Sequence, residues 1–175
     1  MSDREKLRPI IEEIDYLLAE RRQRAVERPR LVVVHGHHQP ETDCLYGETV
    51  EQAYLAYGAQ EIPLRLSPTG LLIIDCLSRH RLTPLSAKQI ERILSSDPFY
   101  VYHGANALSD DGAAVRPKRA SIKVYILRIR VQLGKSIGEA GLNVRPEKIL
   151  VSETTDSNVV VYGLKASVEF RHREF

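Results

Sequence analysis

Cysteine is scarce: Cys44 and Cys76 are the only two in 175 residues, and tryptophan is absent. Two cysteines cannot build a disulfide framework. The expected compartment is therefore the reducing cytoplasm, with Cys76 a small buried apolar residue. No apolar run approaches the ~20 residues that span a bilayer, so no integral membrane role is expected. The start, Met1 to Ile11, is charged and has no apolar h-region, so no secretory leader is expected either. Catalytic signatures are also missing. There is no G-x-S-x-G, P-loop, G-x-G-x-x-G or paired-carboxylate motif, and the chain does not read as an enzyme. Asp110-Asp111 sits among Ser, Asp, Gly and Ala and reads as a solvated pair.

What is present is an ordinary globular composition, 43% apolar and 27% charged. Such a chain can bury a core without disulfides or metals, which excludes collagen-like, mucin-like and wholly disordered classes. The net charge of +2 says little, but its distribution says more. From Gly112 to Gly138 there is no acid, yet seven bases occur: Arg116, Lys118, Arg119, Lys123, Arg128, Arg130 and Lys135. A second basic island holds Arg21, Arg22, Arg24, Arg28 and Arg30. Basic islands on a near-neutral chain point to contact with a polyanion.

Residues 3 to about 28 have the period of a helix, with Leu7, Ile10, Ile11, Ile14, Leu17 and Leu18 on one stripe. The stripe must pack on its own domain or on a second copy of itself, and both remain open. Leu31 to Val34 reads as a strand, followed by a polar loop from His35 to Asp43. Tyr54–Tyr57 and Glu61–Leu66 flank Gly58 as a hairpin. Ser67-Pro68 opens a helix with Ser as N-cap and Pro in the first turn. Ser86 to Gln89 is a capping box leading into Ile90, Ile93 and Leu94. Ser95 to Pro117 reads as a long irregular loop. Residues 118–133 read as a helix with a seam of Ile122, Ile126, Ile129 and Leu133, which Gly134 and Gly138 can end. Lys148–Thr155 and Val159–Phe170 read as a hairpin around Asp156-Ser-Asn158.

Three of these stretches resemble one family in the right order. Leu66-Ser-Pro-Thr-Gly-Leu-Leu-Ile-Ile-Asp-Cys-Leu77 resembles the L-T-P-x-E-x-x-L-L-x-x-L first helix of the OmpR/PhoB-type winged-helix effector domain. Pro84 to Ile90 is similar to the opening of that domain's second helix. Ser121-Ile-Lys-Val-Tyr-Ile-Leu-Arg-Ile-Arg-Val-Gln-Leu133 is similar to T-V-D-V-H-I-x-R-L-R-x-x-L, its recognition helix. The resemblance covers roughly residues 44–170. It implies an α+β winged helix-turn-helix with N-terminal antiparallel strands and a C-terminal β-hairpin wing, to which the apolar period adds an extra N-terminal helix. The division would be 1–43, for packing or dimerisation, and 44–175, the DNA-binding domain.

The resemblance also implies a function: a sequence-specific double-stranded DNA-binding transcription regulator, acting as a homodimer. Helix 118–133 would lie in the major groove. The DNA contacts it implies are Lys118, Arg119, Ser121, Lys123, Val124, Leu127, Arg128 and Arg130, with Lys165 near the wing. RNA polymerase is a further candidate partner. The chain departs from the family in places. Gly70 stands where the family has an acid, the wing lacks its Arg and Gly-x-Gly-Tyr motif, and residues 1–43 are too few to fold the family's receiver domain.

Two other readings stand beside this one. The first is a winged helix used as a protein-interaction module on RNA polymerase or a replication complex. The second is a metal-dependent enzyme at the His35–Cys44 loop. His35, His37, His38 and Cys44 carry good zinc-ligand chemistry, but their spacing matches no finger or H-E-x-x-H motif. A polar turn is the preferred reading there, with no metal and no cofactor.

Overall fold

A computed structural model describes residues 10–19, 28–37, 48–97, 99–100 and 119–173. Residues 10–19 form a helix, α1, as the apolar period predicts. Its apolar side chains Ile10, Ile11, Ile14, Leu17 and Leu18 all remain about half exposed.

The valine run after Pro29 forms strand β1, Arg30–His37, longer than the four residues expected. β2 spans Glu48–Tyr57 and β3 spans Gln60–Pro63. Gly58, at φ +56°, makes the turn between them, a backbone region glycine enters without strain. A seventh strand, β7 (Ser167–Arg173), completes a four-stranded sheet in the order β3-β2-β1-β7. The β1–β2 and β2–β3 pairs are antiparallel, whereas β1 and β7 run parallel. The N-terminal strands β1–β3 are antiparallel, as expected, and the C-terminal β7 added in parallel makes the sheet mixed. The chain after the hairpin returns to cover the free edge of β1. β1 lies before residue 44 yet sits between β2 and β7, so the sheet joins both sides of the expected 43/44 boundary.

Strand alternation sends Leu31, Val33 and His35 to the core side with Ala53 and Leu55 of β2. Val32 and Ala56 face the other way but are also fully buried. The Arg171 guanidinium crosses that side of the sheet. It reaches from β7 to Glu61 on β3, across the face where Val32 and Ala56 lie, and also bonds Glu169. Those hydrogen bonds hold both carboxyls below their usual range.

The second half is helical. α2 spans Pro68–Arg79, with Ser67 Oγ accepting from Gly70 N at 3.2 Å. A two-residue strand, β4 (Leu85–Ser86), precedes α3 (Ala87–Ser96), whose capping box at Ser86 and Gln89 is formed on both sides. α3 takes in Ser95, so the loop expected from that residue starts later. Residues 101–117 of that loop lie outside the described residues.

The long helix α4 spans Arg119–Glu139. It runs past Gly134 and Gly138, which the sequence suggested as its end. The seam Ile122, Ile126, Ile129, Leu133 continues one more turn to Ile137, all buried. Core packing of that last turn outweighs the ~1 kcal/mol helix cost of each glycine. Gly134 serves closeness instead: a Cβ there would come within 3.3 Å of Pro146 Cγ. The helix ends at Gly141, φ +66°, with Leu142 N bonding Ile137 O and Gly141 N bonding Gly138 O. That is a Schellman close with glycine at its left-handed position.

A single turn, α5 (Pro146–Ile149), leads into β5 (Leu150–Thr154) and β6 (Val160–Leu164). Asn158, at φ 57°, closes the turn between them. β4, β6 and β5 form a three-stranded antiparallel sheet in the order β4-β6-β5. The expected single strand Val159–Phe170 is thus two strands in two sheets, divided at Lys165-Ala166. One core joins β1, β2, α2, α3, α4 and the β5–β6 hairpin.

Candidate nucleic-acid interface

The buried seam fixes which side of α4 is free. Ile122, Ile126, Ile129, Leu133 and Ile137 are at most 5% exposed, so the helix cannot rotate without uncovering them. Each such side chain contributes ~1.5–3 kcal/mol of burial. The free side then carries Lys123, Val124, Leu127, Arg128, Val131 and Lys135, all exposed. Val124, Leu127 and Val131 form an aliphatic stripe between the cations, 47%, 62% and 51% exposed. Arg128 leans on the Tyr125 ring, 5.7 Å from its centroid.

Lys123, Val124, Leu127 and Arg128 thus share one accessible surface, as the sequence reading requires. Arg119 and Ser121 lie on the first turns of α4, and their side chains are outside the described residues. Lys118 is outside them as well.

Arg130 departs from expectation. It is half-buried, and its Nε donates to Leu150 O at 3.1 Å while Nη2 donates to Ser152 Oγ at 2.9 Å. Its charge ties α4 to β5 and is not offered on the free face. Its place on the helix lies against β5, where Leu150 O and Ser152 Oγ supply acceptors. Lys165, between β6 and β7, is exposed and paired with Glu153 at 3.1 Å. With Asp156 at the turn, the hairpin is a mixed-charge arm.

The polar loop expected from His35 is corrected as well. His35 to His37 belong to β1, and His35 is 1% exposed. Its Nε2 donates to Asp75 Oδ1 at 2.8 Å. Asp75, fully buried on α2, also accepts from Arg79 Nε at 2.8 Å and from Tyr100 Oη at 2.7 Å. Arg79 in turn lies over the Phe99 ring at 4.9 Å. Burial pushes the Asp75 carboxyl up, but the hydrogen bonds from His35, Tyr100 and Arg79 outweigh it and hold it below the usual carboxylate range. Burial and the Asp75 charge push the Tyr100 hydroxyl far up. The same two causes lift the Cys76 thiol to about 12, and the residue is buried, as expected of it.

This network joins β1, α2 and residue 100 at the junction of the sheet and the helices. Its carboxylate accepts three hydrogen bonds and is fully buried. The sequence reading missed it because 40 residues separate His35 from Asp75. The signal available was an acid, Asp75, inside an otherwise apolar helix face. Among the described residues no three His, Cys, Asp or Glu side chains are grouped to hold a metal. His38 and Cys44 of the expected metal-loop reading lie outside them. No helix there is long and apolar enough to cross a membrane.

No protein-family model, curated protein or solved structure matches the chain. The reading of its function therefore rests on this geometry.

Proposed function

We propose that this chain is a winged-helix regulator that reads double-stranded DNA, with α4 entering the major groove. The observation that carries the reading is α4 itself. One side is locked into the core by five isoleucine and leucine residues, and the opposite side presents Lys123, Arg128 and Lys135 with no carboxylate paired to any of them among the described residues. B-DNA's major groove, ~12 Å wide, admits one helix. The cations suit phosphate oxygens and guanine edges, and Val124 and Leu127 suit thymine methyls. The order α2, β4, α3, α4, α5, β5, β6, with strands arranged β4-β6-β5, supports a winged helix. Arg130 would then set the angle between recognition helix and hairpin. A homodimer belongs to the same proposal, with the half-exposed apolar side of α1 as its contact. RNA polymerase remains a candidate partner within it.

Selection from a random duplex library, followed by fluorescence anisotropy across a salt series, tests it. A defined motif bound far more tightly than scrambled duplex, with affinity falling steeply as salt rises, is the expected result. Weak binding without sequence preference would refute sequence reading.

A second reading has an observation of its own. The Val124–Leu127–Val131 stripe is unusually apolar for a surface that meets only a polyanion, and Glu153 and Asp156 make the neighbouring hairpin unwelcoming to phosphate. A protein partner that covers the stripe would use both. Retention of binding by a purified partner and loss of it in Leu127→Asp, with no duplex affinity at all, would favour this reading.

A further inference from the structure

Beside the exposed face of α4 lies a small pocket of about 150 Å³. Arg65, Ser67 and Gly70 form one wall, at the entry to α2; Tyr125, Arg128 and Gln132 of α4 form the other. Gly70 lines it without a side chain, and a Cβ built there would sit 3.4 Å from Leu66 Cβ and from Ser67 Oγ, an ordinary contact distance.

Its electrostatics are one-sided. Arg65 and Arg128 are both exposed, and neither is paired with a carboxylate among the described residues. Arg30, Arg79 and Arg171, by contrast, are each paired with an acid. Two like charges on one pocket repel, and an anion between them turns that cost into two attractions. The Gly70 amide is already used by Ser67 Oγ, so donors must come from side chains, and Arg65, Tyr125, Arg128 and Gln132 are the lining residues that carry them. The volume is below the ~300–1,000 Å³ typical of sites for drug-sized ligands, and suits one small group. Guanidinium forks match the paired oxygens of a phosphate.

We propose that this pocket binds a phosphate group between Arg65 and Arg128. Two sources share that chemistry: a free phosphate, alone or on a small molecule, and a backbone phosphate of a duplex lying along α4. Only the second source rests on the DNA reading above.

The test uses the full chain, isotope-labelled, titrated with inorganic phosphate at constant ionic strength with chloride as control. The Gly70 amide and the Arg65 and Arg128 Nε–H signals are followed by NMR. Saturable shifts with phosphate and none with chloride are expected. Arg65→Ala should weaken binding about ten- to hundredfold, the loss of one charge-assisted hydrogen bond. Gly70→Glu, which puts a carboxylate between the arginines, should abolish it, with far-UV dichroism to verify folding. Equal shifts in phosphate and chloride, or undiminished binding in Arg65→Ala, overturn the proposal.

A duplex arm separates the sources. Duplex that displaces phosphate and binds more weakly to Arg65→Ala identifies the backbone as the source. Phosphate binding without any duplex affinity upholds the pocket and refutes the DNA reading. Duplex binding unaffected by either variant, with no phosphate-specific shift, refutes the pocket and leaves the DNA reading standing.

Discussion

Removing the Asp75 carboxylate should be among the most damaging single changes to this fold. Three donors converge on it: His35 Nε2 and Arg79 Nε at 2.8 Å and Tyr100 Oη at 2.7 Å. In Asp75→Ala, His35 and Tyr100 stay buried and lose their acceptor, while Arg79, whose side chain is 41% exposed, can turn to water. Each hydrogen bond to a charged group contributes ~1.5–3 kcal/mol, and bonds sharing one acceptor are not additive. Breaking a buried charged network typically costs ~3–5 kcal/mol, and with Arg79 released the lower end, ~3 kcal/mol, is expected. Asp75→Asn keeps an acceptor oxygen and should cost less than Asp75→Ala.

The acid limb gives a second readout. The folded Asp75 carboxyl titrates below its unfolded value of ~3.9. Between those two values the unfolded chain binds the proton and the folded chain does not, so stability rises with pH there. The contribution is present above the unfolded value and is lost as pH falls through the folded one. Urea denaturation followed by far-UV dichroism, from about pH 6 to about pH 3, should show a shallower acid loss in Asp75→Ala than in the parent. A variant within ~0.5 kcal/mol of the parent at neutral pH, with the same acid slope, would refute this account.

Lys123 and Arg130 should behave differently although both are bases on α4. Lys123→Ala should leave thermal stability unchanged and reduce the salt dependence of duplex binding by about one unit of slope. Arg130→Ala should lower stability by ~1–3 kcal/mol in urea, because Leu150 O and Ser152 Oγ lose their donors. Ile129→Ala, in the middle of the seam and 1% exposed, should cost ~2–5 kcal/mol by the same assay. Cys76 should resist a thiol reagent in the native protein at mildly alkaline pH and react on unfolding, since burial and Asp75 hold its thiol at about 12; rapid reaction in the native state would contradict its burial.

Much of the local structure could be read directly. The Ser67-Pro68 helix start and the Ser86–Gln89 capping box depend on groups within four residues, and both formed as expected. The seam of α4 was legible because a core-facing helix needs apolar residues at three- and four-residue steps. The same seam put Lys123, Val124, Leu127 and Arg128 on the free side, since phase alone decides that.

Other features depended on partners far along the chain. His35 looked like a loop residue because its reason to be buried, Asp75, lies on another element. The strand after the hairpin was not seen to divide at Lys165-Ala166, because only the free edge of β1 selects β7 as a parallel partner. The glycines at 134 and 138 looked like helix ends until packing of Ile137 carried the helix past them. Arg130 looked like a free cation until β5 supplied its acceptors. The sequence by itself determined the periodicities, the caps and the basic face of α4, because these are matters of local geometry and phase. Tertiary structure alone decided the mixed sheet, the Asp75 network and the pocket at Gly70, because each is made by groups that only the folded chain brings within reach.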